Sequence, residues 1–298
     1  MKVITIVVTY NRKELLKECI ESLLNQKDAY TDILVIDNNS NDGTEEMIKE
    51  YPGIMYENTR ENLGGAGGFN YGIKKVFSLK EKYDYIWIMD DDTIPDDNVL
   101  NKILNCANLH KNFGFISPKI VWKDGSLCNM NKQMTITGKV IDENTENMQK
   151  LEHCSFVACF INREAIINIG LPIKEFFIWC DDSEYTERIS KKYDNYYLNE
   201  CKVVHKMNNN LPVKIESDNN NRIERYHYFY RNRFFIAKRK GLKTIIKYHI
   251  RIIKDILIVL VKSKDFKFKR IKSIIKGYFE GLAFNPLIEY VEEISKGE

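Results

Sequence analysis

The sequence predicts an α/β fold, a mostly parallel sheet flanked by helices, followed by a basic helical region. Three observations carry this. Apolar, β-branched runs alternate with segments of helical spacing, which implies parallel strands joined by right-handed crossovers. Two of the apolar runs end abruptly in carboxylates, and ligand sites in open α/β sheets lie at the carboxyl ends of strands. The charge also divides: residues 1–221 hold 26 Lys and Arg against 34 Asp and Glu, and residues 222–276 hold 18 against 3. The last stretch, 277–298, is acidic again, with 1 against 5. With 44% hydrophobic and 29% charged residues the composition is globular, and 298 residues suffice for one large domain with an appendage. The expected division is residues 1–221 and residues 222–298.

In chain order, Val3 to Thr9 reads as the first strand, and it is too short an apolar run for a secretory leader. Leu15, Leu16, Cys19, Ile20, Leu23 and Leu24 follow at helical spacing. Asp32 to Asp37 is a second strand, a short helix runs to about Glu50, and Ile54 to Glu57 is a third strand. Asn62-Leu63-Gly64-Gly65-Ala66-Gly67-Gly68 then reads as a glycine-rich loop before a helix from Phe69 to about Leu79. Such a loop admits close backbone approach, and helix N-termini favour phosphate; a simple packing turn is the alternative. It is neither a Walker A loop nor a dinucleotide fingerprint, because the spacing and position differ.

Tyr85 to Met89 is a buried strand running into Asp90-Asp91-Asp92. Three adjacent like charges repel, and a divalent cation such as Mg²⁺ or Mn²⁺ would cancel the repulsion. A solvated acidic turn is the alternative. A helix over about Asp97 to His110, a strand from Phe113 to Pro118, a polar excursion over 119–150, a strand from Ser155 to Ile161 and a helix from Arg163 to Ile169 follow. Phe176 to Trp179 then leads into Asp181 and Asp182, which open a helix. Asp181 with Glu184 has the spacing of a capping box, leaving the other carboxylate free beside aromatic residues that raise its pKa toward a base's range. The strand from Tyr196 ends in His205, either a structural histidine or a third metal ligand.

Residues 206–221 are Asn-rich and read as a loop or linker. Beyond them, Tyr226 to Phe235 mixes aromatic and basic residues, and Thr244 to Val261 and Lys262 to Lys276 are basic, amphipathic and helical. The longest uncharged run, Ile256 to Val261, falls far short of the ~20 residues that span a bilayer. An in-plane membrane helix fits, and so does a cap packed on the core or on a partner subunit in a homo-oligomer. Nucleic acid fits less well, because the charge sits on helices behind an enzyme-like body. The seven cysteines form no C-x-x-C pair, so reduced thiols in a cytosolic setting are expected.

The ensemble Val-Val-Thr-Tyr-Asn-Arg, Val-Ile-Asp-Asn-Asn-Ser, Asn-Leu-Gly-Gly-Ala-Gly-Gly-Phe, Asp-x-Asp, Asp-Asp-Ser-Glu-Tyr and a later His resembles the family 2 glycosyltransferases of the GT-A fold, a Rossmann-like architecture, over about residues 3–205. The glycine loop, the triple Asp and Phe-Phe-Ile before Asp-Asp are similar to galactofuranosyltransferases, which use UDP-galactofuranose; rhamnosyltransferase relatives usually show Asp-Gln-Asp. Cys180 stands where those galactofuranosyltransferases carry Trp, and Trp179 lies one position earlier.

The resemblance implies a metal-dependent inverting transferase acting on a lipid-linked or other glycan acceptor in cell-surface polysaccharide synthesis, peripheral on the inner face of the cell membrane. It implies that Asp37 and Arg12 bind uridine with Thr9 and Asn62 nearby, and that Gly64, Gly65 and Asp91 contribute to donor binding. Asp90, Asp92 and His205 would hold Mn²⁺ or Mg²⁺, Asp182 would be the general base, and Asp181 would orient the acceptor. Another nucleotide-sugar donor, or a non-catalytic nucleotide-sugar-binding assembly protein, is the competing reading.

Overall fold

The computed structural model describes residues 1–145 and 148–291; the acidic end of the chain, 292–298, lies outside the described residues. The first half runs β1 (Val3–Thr9), α1 (Lys13–Leu24), β2 (Asp32–Asp37), α2 (Thr44–Ile48), β3 (Met55–Asn58), α3 (Gly64–Ser78), β4 (Tyr85–Asp90), β5 (Thr93–Pro95), α4 (Val99–Leu109) and β6 (Phe113–Val121). It continues through β7 (Met134–Thr135), β8 (Gln149–His153), β9 (Ala158–Asn162), α5 (Arg163–Ile169), a 3₁₀ turn (Lys174–Phe176), α6 (Asp181–Ser190) and β10 (Asp194–His205). The C-terminal region is helical: α7 (Asn220–Ile223), α8 (Tyr226–Lys240), α9 (Leu242–Lys262) and α10 (Lys267–Ala283).

The strands form one sheet in the order β3-β2-β1-β4-β9-β6-β10-β8-β7, with β5 on β10. β1, β2, β3 and β4 are mutually parallel, and β6 is parallel to β10. β9 inserts antiparallel between β4 and β6, so the sheet is mixed where strict alternation predicts parallel strands. The cause is its connection: β9 follows the polar excursion and its short strands, not a crossover helix, so nothing forces it parallel. The register sets Thr9 beside Asp37 and Val8 beside Asp90, which aligns the carboxyl ends of β1, β2 and β4 along one edge.

Both faces of the sheet are covered. Ile4, Ile6 and Val8 face Phe69, Ile73 and Val76 of α3, with Ile166 of α5 and Tyr185 of α6 in the same cluster. Val3, Val7 and Trp87 face Leu16, Ile20 and Leu23 of α1 and Leu100 and Ile103 of α4. The glycine-rich stretch is not a loop but the first turns of α3. Its later glycines serve packing: a Cβ on Gly68 would lie 2.6 Å from Val8 Cγ1, and one on Gly72 2.7 Å from Ile6 Cγ2. The absent side chains let α3 settle directly on β1, and that burial outweighs glycine's poor helix propensity of ~1 kcal/mol per residue.

The C-terminal helices have a cluster of their own, with Tyr226, Tyr230, Phe234, Tyr248, Ile252, Val259 and Ile274 buried together. They also meet the sheet domain, where Phe235 packs edge-on against Phe176 at 5.6 Å. Asp255 is buried on Arg251 and the Tyr230 hydroxyl. No helix among the described residues is long and apolar enough to cross a membrane.

Because Gly72 abuts two fully buried isoleucines, Gly72→Val is expected to destabilise the chain by about 1–3 kcal/mol through overpacking. The measurement is a urea titration: the midpoint falls while the slope stays constant. An unchanged midpoint would contradict the packing role.

Candidate active site

The site forms where β1, β2 and β4 end. Asp90 is the last residue of β4, and Asp91 and Asp92 turn the chain into β5. Asp91 accepts from the Thr9 hydroxyl at 2.8 Å and from Arg12 Nη1 at 3.1 Å. Asp92 accepts from the same Arg12 nitrogen at 2.8 Å and lies 2.9 Å from His205 Nε2. β10 delivers that histidine through its antiparallel pairing with β5, which sets His205 across from Thr93. The other ring nitrogen, Nδ1, is 2.9 Å from Asn131 Oδ1. An amide oxygen can only accept, so Nδ1 carries the proton. This orients the ring and aims Nε2 at the acidic cluster.

These groups change one another's proton affinity. Burial and then the repulsion of Asp92 push Asp90 up to about 6. Asp91 is pushed up to about 7, mainly by burial, despite Arg12 beside it. Asp92 lies below the usual carboxylate range, because His205 and Arg12 outweigh its burial. Burial disfavours a charged His205, but Asp92 outweighs it, and the imidazole is pushed up to about 10. Asp90, Asp92 and His205 each offer a ligand atom, and these atoms lie within 4.8 Å of one another. Two carboxylates and an imidazole whose Nδ1 is engaged by Asn131, and whose Nε2 proton a metal would displace, form a donor set suited to a divalent metal.

A second pair of carboxylates opens α6. Asp181 is buried and Asp182 is half-buried, and desolvation raises the pKa of both. Asp182 takes part in raising Asp90, and Asp90 in raising Asp181, so the two clusters share one field. The expected capping box does not form. Cys180 is the N-cap and makes no side-chain cap, and Glu184 turns away to a buried, bidentate pairing with Arg188 at 2.9 and 3.0 Å. That guanidinium also donates to the carbonyls of Ile169 and Leu171, and this buried network holds Glu184 more strongly than an N-terminal amide does. Asp182 Oδ1 accepts from the Ser183 amide at 2.7 Å.

The backbone entering this pair is unusual. Phe177, Trp179 and Cys180 have φ of 63°, 66° and 67°, the left-handed region that non-glycine residues rarely occupy. The Phe177 carbonyl accepts from the Ala66 amide at 3.2 Å, and a Cβ on Gly64 would lie 2.1 Å from that oxygen. Gly64, itself at φ 69°, is therefore glycine for two reasons. Asn62 Oδ1 caps the Gly64 amide at 2.9 Å, and nothing lies within 4 Å of where a Gly65 Cβ would stand.

Thr9, Arg12, Asp90, Asp91, Asp92 and His205 thus gather directly. Asp37 sits apart, with its carboxylate on the Tyr56 hydroxyl at 2.7 Å and the Ser40 amide at 2.9 Å. Sequence reasoning missed Asn131, which lies in the irregular excursion without a pattern to single it out. It also missed Asn232, whose side-chain amide reaches the carbonyls of Phe176, Ile178 and Trp179. A signal existed there: a helix-disfavouring amide among aromatic and basic residues in α8.

Residues 4–170, more than half of the chain, match glycosyl transferase family 2. The galactofuranosyltransferase GlfT1 of Mycolicibacterium smegmatis is 24% identical over 274 residues, covering 82% of this chain and 85% of that protein. Among solved structures, the Pyrobaculum calidifontis mannosyltransferase PcManGT, in complex with GDP-Man and Mn²⁺, aligns with a TM-score of 0.58 at 15% identity, over 95% of this chain and 87% of its own. Residues 1–349 of S. aureus TarS align with a TM-score of 0.57 at 15% identity, over 94% and 72%. Family match, sheet architecture and acidic centre agree, and the chain belongs to glycosyl transferase family 2, a galactofuranosyltransferase-like enzyme of the GT-A fold.

Proposed function

We propose that the chain transfers a hexosyl unit, galactofuranose from UDP-galactofuranose, to a lipid-linked glycan acceptor with inversion, in the synthesis of a cell-surface polysaccharide. The observation that carries the reading is the meeting of two carboxylate clusters with different surroundings: Asp90 and Asp92 with His205, and Asp181 with Asp182. The similarity to GlfT1 supports the donor, and the GDP-Man and Mn²⁺ bound by PcManGT support a nucleotide sugar held with a metal.

In this reading Asp90, Asp92 and His205 would hold Mn²⁺ or Mg²⁺, which would supply Lewis-acid stabilisation of the charge developing on the leaving diphosphate. Asn131 accepts from His205 Nδ1 and so keeps Nε2 facing the site. Thr9 and Arg12 fix Asp91; Arg12, expected on the uridine with Asp37, is paired with Asp91 and Asp92, and in this reading it adds a cation on the diphosphate side. Asp37, at the end of β2, receives the uridine, with Asn62, Gly64 and Gly65 forming the donor-side wall where α3 begins. Asp182 takes the proton from the acceptor hydroxyl as its oxygen bonds to the anomeric carbon and the bond to UDP breaks. Attack from the face opposite the diphosphate inverts the centre. Asp181, more deeply buried, orients the acceptor.

Residues 1–221 form the transferase domain in this reading, and residues 222–298 bring it to the cytoplasmic face of the membrane. α9 exposes Leu242, Ile246, Ile250, Ile253, Leu257 and Val261 along one side, and α10 exposes Phe268, Ile275, Phe279 and Leu282. Lys243, Lys247 and Lys254 border the first stripe, and Lys269, Lys272 and Lys276 the second. The carboxylates of these helices are not set against lipid: Asp255 is buried, and Glu280 pairs with His227 and Lys276. An apolar stripe edged by cations matches an anionic bilayer surface.

Three outcomes are expected. In a panel of UDP-galactofuranose, UDP-galactopyranose, UDP-glucose and dTDP-rhamnose with a lipid-acceptor extract, only UDP-galactofuranose with Mn²⁺ or Mg²⁺ gives release of nucleoside diphosphate; release from another donor alone would replace the sugar assignment. Asp182→Asn lowers transfer by a factor on the order of 10²–10⁴ while UDP binding persists, and retained transfer would remove Asp182 from the base role. The protein floats with phosphatidylglycerol-containing vesicles at 0.1 M salt and less at 1 M, as the screening length falls from about 10 Å to about 3 Å; failure to float at low salt would refute the membrane assignment.

A further inference from the structure

The segment Phe176–Cys180 leads straight into Asp181, so its backbone decides where both carboxylates stand. Three of its five residues, Phe177, Trp179 and Cys180, have positive φ, which residues other than glycine rarely adopt. Something must hold it. Asn232 is fully buried on α8, and its Nδ2 lies 2.9 Å from the Phe176 carbonyl, 3.2 Å from that of Ile178 and 2.9 Å from that of Trp179. Its own Oδ1 accepts from Arg231 Nε at 3.1 Å, and the Arg231 guanidinium donates to the Glu175 carbonyl. α8 also lays Tyr228 on the Phe177 ring at 4.8 Å and Tyr226 against the Trp179 ring at 4.9 Å. From the other side, the Ala66 amide of α3 holds the Phe177 carbonyl.

We propose that Asn232 is a positioning residue for the Asp181–Asp182 pair, holding the preceding positive-φ backbone by sharing its two amide hydrogens among the carbonyls of Phe176, Ile178 and Trp179. This rests on the assignment of that pair to acceptor chemistry. The Phe176 carbonyl also accepts from the Ile178 amide at 2.7 Å, so the Asn232 amide matters most to the Ile178 and Trp179 carbonyls, and no aliphatic side chain of that size can serve them. The C-terminal helical region is then part of the catalytic apparatus, reaching it through one side chain.

The test uses the full chain and two readouts. Asn232→Ala is expected to speed amide exchange in the peptide spanning 176–182 by about tenfold while the peptide spanning β4 is unchanged. With UDP-galactofuranose, Mn²⁺ and a lipid-acceptor extract, kcat falls on the order of 10²-fold while the Kd for UDP stays constant, because misplacement of about 1 Å has that effect on chemistry. Adding Cys180→Gly, which accepts the left-handed region without strain, restores part of the lost kcat. If Asn232→Ala does not fold, Asn232→Ser is measured in its place. Unchanged exchange over 176–182, equal losses in kcat and UDP affinity, or no recovery with glycine would each overturn the proposal. Asp182→Asn is measured alongside: retained transfer there refutes the base assignment, whereas the exchange readout still judges the clamp.

Discussion

The arrangement depends on one electrostatic constraint: five carboxylates, Asp90, Asp91, Asp92, Asp181 and Asp182, gathered at the carboxyl edge of a sheet where little water screens them. Like charges at such distances repel strongly in a protein interior. The fold offsets this with a small set of groups drawn from distant parts of the chain. Arg12, just before α1, spans Asp91 and Asp92; His205, at the end of β10, faces Asp92; Thr9 binds Asp91. Burial first, and then the neighbouring carboxylates, raise the proton affinity of Asp90 and Asp91 despite Arg12. A divalent cation in the proposed metal site would relieve the repulsion between Asp90 and Asp92.

A second constraint is proximity. α3 must lie on β1, and the segment before α6 must lie on the start of α3, or the two acidic clusters would not face one another. Both contacts require missing side chains. Gly68 and Gly72 let the helix approach Val8 and Ile6, and Gly64 makes room for the Phe177 carbonyl. The same segment carries positive φ at Phe177, Trp179 and Cys180, so backbone strain lies directly beside the site.

Much of this was legible from the chain. β1, β2 and β4 announce themselves as β-branched or apolar runs, and their carboxylate or threonine ends follow directly, because strand ends are local features. The glycine stretch reads locally as a loop because propensity is a local quantity, whereas close packing on β1 is tertiary. The capping-box spacing of Asp181 and Glu184 was real, but Arg188, one turn further, offers a charged, bidentate partner that a backbone amide does not match. β9 was legible as a strand but not as an antiparallel one, since direction depends on the connection. Asn131 and Asn232 act on atoms 74 and more than 50 residues away, and no periodicity encodes such pairings.

The charge division of the sequence acquires a direction when combined with the proposed membrane reading. An anionic surface draws the cation rows of α9 and α10 and repels the acidic body, so the enzyme would stand on its C-terminal helices. α8 packs on those helices and, through Asn232, holds the backbone that carries Asp181 and Asp182. A lipid-linked acceptor would then arrive from the side that α8 occupies, while the nucleotide sugar reaches β1, β2 and β4 from solvent. The two substrates would approach by different routes, which suits a single displacement with attack opposite the leaving group. The helices that bind the surface would thereby also set the stereochemical geometry of the reaction.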